Sequence, residues 1–347
     1  MQISLTERTD WRARIRQHLC GRHTLALILI AASLIIQWGI VGRYAWWNVP
    51  ASTPPILLLL LPVLVALLTI GVKTKRYLFL YAFLLLLLWF PKTDLNLAAP
   101  LHAMKTAPET GISVMSWNTY LWDEYDTEEM YELLQSKQQD LYILNEHFYK
   151  DEENRDVYLT ERQQQFEEAL PDYEVLTDDQ FVILSKYPVI ARELAPSRQA
   201  MLVKLQVGER ELVILNVHLV PHLDLSHSPL SGDFWEANQE LYELRQQGFS
   251  EIRGMMSMLD PDDGLIVTGT MNTTALMHDL DQEIGSLHDA SAKSSSLYPA
   301  TWKMQGLGYW WQVDHFLHND KLNVLHYELE EHAGFSDHKA MLVRVDW

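Results

Sequence analysis

Cysteine is almost absent: Cys20 is the one thiol in 347 residues, so no disulfide framework holds this chain together. Basic charge is scarce and unevenly spread. Of 27 Lys and Arg and 46 Asp and Glu, residues 1–100 hold ten and three, which leaves 17 basic and 43 acidic residues in 101–347, a net −26. So acidic a stretch repels polyanions at long range and argues against a broad, non-specific nucleic-acid-binding face. A cleft built around a divalent cation stays compatible, because the ion reverses the local field. Also missing are an internal repeat of 20–50 residues and a clear small-residue cleavage site after the first apolar run. Neither a solenoid nor a cleavable signal peptide fits, and the length suits one large domain plus an extension.

What is abundant is apolar sequence near the N-terminus. Residues 24–41 and 55–72 are runs of 18, and 77–90 is a run of 14. A hydrocarbon core ~30 Å thick takes roughly 20 helical residues, so two runs approach that length and the third is short. Trp89, Tyr77 and Lys92 suit the interfaces of the third run. Arg8, Arg12, Arg14, Arg16 and Arg22 precede the first run, and Lys73, Lys75 and Arg76 separate the second from the third. The positive-inside rule puts both groups on the cytoplasmic side. The expectation is a multi-pass region over 1–94, with about three helices in an inner or plasma membrane and the lipid bilayer as partner. A linker over 95–110 with Pro100 and Pro108 follows, then a domain over 111–347 that is periplasmic or extracellular. If the third run does not cross, that domain becomes cytoplasmic.

Beyond residue 110, short apolar runs alternate with charge-rich amphipathic stretches. Residues 112–117, 141–144, 181–184, 201–207, 212–217, 265–268, 313–317 and 341–345 read as strands, while 128–139, 156–169 and 234–259 read as helices. Many strands with interspersed helices predict an α/β fold, a four-layer sandwich of two packed mixed sheets flanked by helices, preceded by the helical membrane segment. Several runs end in short polar clusters: Gly269–Asn272, Val313–His315 and Ser336–His338. Acids, amides and imidazoles at strand ends are the inventory of a phosphoester hydrolase. Singly, each has a plainer reading: an exposed strand-end Glu146, a turn-capping Asn118, a structural His218, a Ser-Asp-His turn.

Taken in order, Ser116-Trp117-Asn118-Thr119, the run from Asp140 to Glu146, the run from Ile183 to Pro188, Asn216-Val217-His218-Leu219, Gly269-Thr270-Met271-Asn272-Thr273, Pro299-Ala300-Thr301-Trp302, Val313-Asp314-His315 and Ser336-Asp337-His338 resemble the endonuclease/exonuclease/phosphatase (deoxyribonuclease I-like) superfamily. The resemblance covers about residues 111–347, and the N-terminal segment resembles that of membrane-anchored bacterial members. It implies a Mg²⁺-dependent hydrolase of phosphoesters, with Mn²⁺ as a substitute. Glu146 would be the main metal ligand, with Asn118 as an amide-oxygen ligand or its support, and Asp337 would face the metal or a phosphate-bound water. Asp314 would hold His338, His218 would be the second imidazole, and Asn272 would hold a phosphate oxygen. His147, His222, His227 and His315 are read as structural or loop histidines.

Thr270 departs from the pattern, which has an acid at this position to orient or deprotonate the attacking water. A hydroxyl can orient water but cannot act as base, and a lost general base costs roughly 10²–10⁴-fold. Three explanations stay open: a natural or engineered substitution that disables the enzyme, another acid such as Asp337 in the role, or a domain that binds without cutting. The expected function is a membrane-anchored phosphodiester hydrolase acting on a small, lipid-headgroup or nucleic-acid phosphoester. The alternatives are an inactive phosphate-ligand or partner-binding module and a nuclease acting on extracytoplasmic DNA. Trp302, Trp310 and Trp311 flank the Val-Asp-His strand and are read as packing residues. The long loop over 219–234 is placed to shape substrate entry.

Overall fold

The computed structural model describes residues 5–68, 70, 75–104, 108, 110–120, 127–150, 156–158, 163–277, 279–304, 306–332 and 334–347. Contacts divide the chain into two compact units, Met1–Leu95 with Ala275–Met277, and Asn96–Thr274 with His278–Trp347.

The first unit is helical and largely apolar. Its helix Leu5–Gly39 contains Gly21–Gly39, a stretch long and apolar enough to cross a membrane. The second apolar run is not one straight helix. It starts as the 3₁₀ turn Pro55–Leu59, continues as Leu60–Leu67, and lies at 76° to the preceding Ala45–Ala51 piece. Pro50, Pro54 and Pro55 supply no N–H groups, and the chain turns where they cluster. The third run forms Lys75–Trp89, 15 residues long. Within this unit Trp89 Nε1 donates to Ser33 Oγ at 3.0 Å and Gln37 Nε2 donates to the Leu88 carbonyl at 2.8 Å, so polar groups on apolar helices find one another. Lys73, expected in the turn before the third run, lies outside the described residues.

The second unit contains two six-stranded mixed sheets. In chain order the strands are β1 (Ile112–Asn118), β2 (Leu141–Asn145), β3 (Phe148–Lys150), β4 (Asp156–Tyr158), β5 (Glu174–Asp178), β6 (Phe181–Ser185), β7 (Val189–Leu194), β8 (Ala200–Val207), β9 (Arg210–His218), β10 (Gly264–Thr270), β11 (His288–Asp289), β12 (Trp302–Met304), β13 (Gly308–Trp311), β14 (Asp314–His318), β15 (Asn323–Glu330) and β16 (Ala340–Asp346). One sheet runs β15-β16-β1-β2-β6-β5 and the other β11-β14-β10-β9-β8-β7. Each is built on a central parallel pair, β1 with β2 and β9 with β10, flanked by antiparallel neighbours.

Alternation along the strands decides what meets what. Val114, Ile143, Ile183, Met201, Val203, Ile214, Ile266 and Phe316 fill the space between the sheets. Met115, Trp117, Tyr142 and Leu144 point the other way, onto Met130 and Leu134 of helix Thr127–Lys137 and Phe166 of helix Gln163–Ala169. Val213, Leu215, Leu265 and Val267 face Phe249, Ile252 and Met255 of helix Gly232–Ser257. That is the expected four-layer sandwich.

Toward the carboxyl ends of the four central strands the inward positions turn polar. Ile143 is followed by Asn145, Ile214 by Asn216, Val114 by Ser116 and Ile266 by Thr268. Their donors reach acceptors on the opposite sheet, while Asn145 Oδ1 and Asn216 Oδ1 stay buried without a partner. Asn145 Nδ2 donates to the Val217 carbonyl at 2.9 Å, Asn216 Nδ2 donates to the Leu144 carbonyl at 3.1 Å, and Thr268 Oγ1 lies 2.8 Å from Ser116 Oγ.

Some expected elements differ. Residues 156–158 pair with β3 rather than starting a helix, since Val157 and Tyr158 sit opposite Tyr149 and Phe148, and the helix begins at Gln163. Strands β5, β7 and β15 were not expected. Asn96 belongs with the second unit, where its side chain donates to the Ser294 carbonyl at 2.9 Å.

Removing one of the cross-sheet donors breaks a buried hydrogen bond between the two sheets. Asn216→Ala is expected to destabilise the second unit by about 1–3 kcal/mol, against a change within about 0.5 kcal/mol for Glu236→Ala on an exposed helix face, as read from denaturant midpoints.

Candidate active site

One pleat beyond the polar layer, the inward positions are Asn118, Thr270 and His218, with Glu146 directly after β2. Backbone constraints aim them. Gly269 has φ +126°, and a Cβ there would lie 2.1 Å from the Val217 carbonyl oxygen and 2.6 Å from Asn145 Nδ2, so only glycine fits and the direction of Thr270 is fixed. Glu146 has φ +62°, a left-handed conformation costing a non-glycine residue about 1–3 kcal/mol that recurs at functional positions. Asn272 has φ +48°, which asparagine tolerates better.

The side chains form one connected series. His218 Nε2 lies 3.2 Å from Glu146 Oε1. Asn118 Nδ2 donates to the same Glu146 oxygen at 2.8 Å and to Thr270 Oγ1 at 3.0 Å. Thr270 Oγ1 donates to Asp314 Oδ1 at 2.6 Å. Asp314 Oδ2 is 2.7 Å from His338 Nδ1, and His338 Nε2 is 3.8 Å from Asp337 Oδ1. Seven of the eight residues singled out in the sequence are thereby brought together. Asn272 stands outside the series: its Nδ2 donates to the Leu219 carbonyl at 2.8 Å, in the loop just after His218.

Burial and pairing set the charges. Burial pushes the Glu146 carboxyl up, but the His218 hydrogen bond, the charges of His218 and His338 and the Asn118 amide together bring it down to about 2. Burial pushes the His338 imidazole down, yet the Asp314 carboxylate beside it, helped by Asp337 and Glu146, raises it to about 9. Asp314 is lowered despite burial, by His338 and by the Thr270 and Thr301 hydroxyls. Burial raises Asp337.

Several residues that sequence reading passed over hold this arrangement. Ser336 Oγ donates to the Asn118 carbonyl at 2.7 Å and accepts from the His338 amide at 2.9 Å, tying the Ser-Asp-His turn to β1. Thr301 Oγ1 accepts from the amides of Val313 and Asp314, both at 3.1 Å. Trp302, expected to pack, donates from Nε1 to Asp337 Oδ2 at 2.8 Å. Gln180 Oε1 is hydrogen-bonded to His218 Nδ1, the Gln180 carbonyl accepts from the His147 amide at 3.0 Å, and its Nε2 donates to the Arg198 carbonyl at 3.2 Å. Arg245, buried on helix Gly232–Ser257, donates to the carbonyls of Val220 and Met271 at 3.0 and 3.1 Å and to Asp279 at 2.8 Å. His222 Nδ1 lies 2.8 Å from the Asn272 carbonyl, and burial beside Arg245 lowers it to about 3. A lone Arg or Gln in an amphipathic stretch carries no spacing signal. Thr301, Trp302 and Ser336 were visible inside motifs, though without an assigned part.

A divalent ion would find only part of a ligand shell here. Among the described residues no group of three or more His, Cys, Asp or Glu side chains is arranged to hold one. Asp337 Oδ1 is buried without a hydrogen-bond donor, and Glu146 is an ionised carboxylate close enough for its charge to reach both His338 and Asp337. Asn118 Oδ1 accepts from the Tyr120 amide at 2.9 Å and its Nδ2 donates to Glu146, so Asn118 supports that carboxylate. Two hard carboxylates fit Mg²⁺ or Mn²⁺ that keeps several waters, and do not fit an all-protein cage.

No family model matches the chain, and no curated protein matches it. Solved structures similar to it include an endonuclease/exonuclease/phosphatase family protein from Leptotrichia buccalis, 12% identical with a TM-score of 0.49, covering 68% of this chain and 100% of that one. Another such family protein, from Bacteroides thetaiotaomicron, is 14% identical with a TM-score of 0.49, covering 68% and 97%. D. rerio TDP2 complexed with single strand DNA product is 13% identical with a TM-score of 0.49, covering 69% and 100%. These are likenesses of chain path, and the chemistry of the site rests on its own side chains.

With a folded value of about 9 against 6.5 unfolded, His338 stabilises the domain fully below pH 6.5, and this contribution is lost as pH rises through 9. Denaturation in the presence of chelator is expected to show a loss on the order of 3 kcal/mol between pH 6.5 and 10 that Asp314→Asn largely removes.

Proposed function

We propose that this protein is a membrane-anchored, divalent-metal-dependent phosphodiester hydrolase. The observation that carries the reading is the pair of carboxylate–imidazole couples, Glu146 with His218 and Asp314 with His338, facing one another at the carboxyl ends of two parallel strand pairs. Crevices outside the carboxyl ends of strands are where α/β sheets bind ligands.

A cation held by Glu146 and Asp337 would supply Lewis acidity to the phosphoryl group. The chain's own groups do the rest. His338, kept protonated by Asp314, donates a hydrogen bond to the phosphoryl or leaving oxygen as charge builds there. His218, held at Nδ1 by Gln180, presents Nε2 to the same space from the opposite sheet. Asn272 keeps one amide hydrogen beyond its bond to Leu219 and offers it to a second phosphoryl oxygen.

The Gly21–Gly39 helix serves as the anchor, and the basic residues on either side of the apolar runs favour a multi-pass topology with the acidic domain outside the cytoplasm. A domain of net −26 on a tether favours a small or membrane-proximal phosphodiester over long DNA.

The test is hydrolysis of bis(p-nitrophenyl) phosphate by the full chain in detergent with Mg²⁺ or Mn²⁺. Turnover is expected to vanish with chelator, to fall about 10²–10⁴-fold in His338→Gln, and to depend only weakly on added monovalent salt. A parent that binds inorganic phosphate but never cleaves the diester would leave a binding module instead.

A further inference from the structure

Between β10 and the helix Asp279–Glu283 the chain leaves the second unit and returns to it, because Ala275–Met277 belongs to the helical unit. One side chain fixes both ends of this excursion. Arg245 donates to the Met271 carbonyl at 3.1 Å and to Asp279 Oδ2 at 2.8 Å, and Thr273 Oγ1 donates to the same Asp279 oxygen at 3.3 Å. The tip is fixed separately. Leu276 and Met277 are buried in an apolar cluster with Trp47, Ala51, Val65 and Leu78, and Trp47 Nε1 donates to the Leu276 carbonyl at 2.8 Å. Asn272, Thr273 and Thr274 form the arm between neck and tip. Both threonines are buried, and Asn272 is left-handed at φ +48°. Three residues reach at most about 11 Å, so a fixed tip leaves the arm little freedom.

We propose that Trp47 is a positioning residue for the site: by holding the Leu276 carbonyl it fixes the arm that carries Asn272, so phosphate binding depends on an assembled helical unit. Apolar helices pack against one another in a bilayer, where buried polar groups such as the Trp47 indole must find partners among themselves. Before the helices have packed there is no cluster to bury Leu276 and Met277, and the excursion is held at Arg245 alone. The helical unit thereby regulates the site as well as anchoring it, and a chain not yet inserted binds phosphate poorly. The arm also carries its own reporter. His222 Nδ1 lies 2.8 Å from the Asn272 carbonyl, and since a carbonyl only accepts, that nitrogen carries a proton. The inference rests on the phosphoester reading for the part Asn272 plays, but not for the geometry of the arm.

The experiment uses full-length protein in detergent with ¹⁵N-labelled histidine, comparing Trp47→Phe and Trp38→Phe with the parent. Trp47→Phe keeps an aromatic ring and loses the N–H, while Trp38 is 77% exposed and serves as the control. The first readout is the His222 Nδ1 proton, assigned by its disappearance in His222→Gln. The second is the Kd of inorganic phosphate with Mg²⁺, measured by calorimetry. Trp47→Phe is expected to shift or broaden the resonance and to weaken phosphate binding about 3- to 10-fold, the loss of one buried hydrogen bond. Trp38→Phe is expected to change neither. Should Trp47→Phe not fold, Leu276→Ala reads the same point, since it shortens the buried tip and leaves the indole in place. A Trp47→Phe protein with a lower thermal midpoint but the parental resonance and phosphate affinity has lost packing alone, and overturns the proposal. So does a control that moves the resonance as far. If the parent binds no phosphate while the resonance responds as expected, the positioning role stands and the phosphoester reading falls.

Discussion

The constraint on which this domain depends is the satisfaction of polar groups buried between two face-to-face sheets. Apolar side chains fill most of that space, and they need no partners. Near the carboxyl ends of the central strands the filling changes to Ser116, Asn145, Asn216 and Thr268, which survive burial because each finds a group on the opposite sheet. This polar layer fixes the sheets in register with one another just below the site. The acids and imidazoles above it inherit that precision from the strands that carry them, rather than from loops.

The site extends the same logic by one pleat, with one difference. In the layer below, each side-chain donor finds an acceptor on the opposite sheet, although the Asn145 and Asn216 side-chain oxygens accept nothing. Above it the side chains form an open series ending in groups whose capacity is not used up: Asp337 Oδ1 and the outward nitrogen of His338. Glu146 and Asn272 share a left-handed backbone with turn residues such as Gln138 and Arg198, and it aims their side chains at the strand ends.

Much of this was legible in the sequence, and for a physical reason. Period-two alternation marks a strand, and runs that end in Asn118, Glu146, His218 and Thr270 mark strand ends where chemistry can sit; the part each plays, and Asp314 at the start of its strand, came from the order of eight motifs and the family they resemble. What could not be read was partnership. Gln180 lies in a tight turn between β5 and β6 and Arg245 in the middle of a helix, and neither position differs locally from a solvated one. Their importance comes from contacts 38 and 26 residues away along the chain. Edge strands such as β7 were missed because their exposed residues blur the alternation. The bend just ahead of the second apolar run went unread because hydropathy sums side chains and overlooks the hydrogen bonds that Pro50, Pro54 and Pro55 cannot make.

The most direct check of the central claim is a crystal structure of the protein soaked with Mn²⁺ and inorganic phosphate, with the metal located by anomalous scattering. A manganese peak is expected against the carboxylates of Glu146 and Asp337, with a phosphate within hydrogen-bond reach of the His338 ring. Saturating manganese that leaves those two carboxylates bare, or phosphate bound away from both imidazoles, would contradict it.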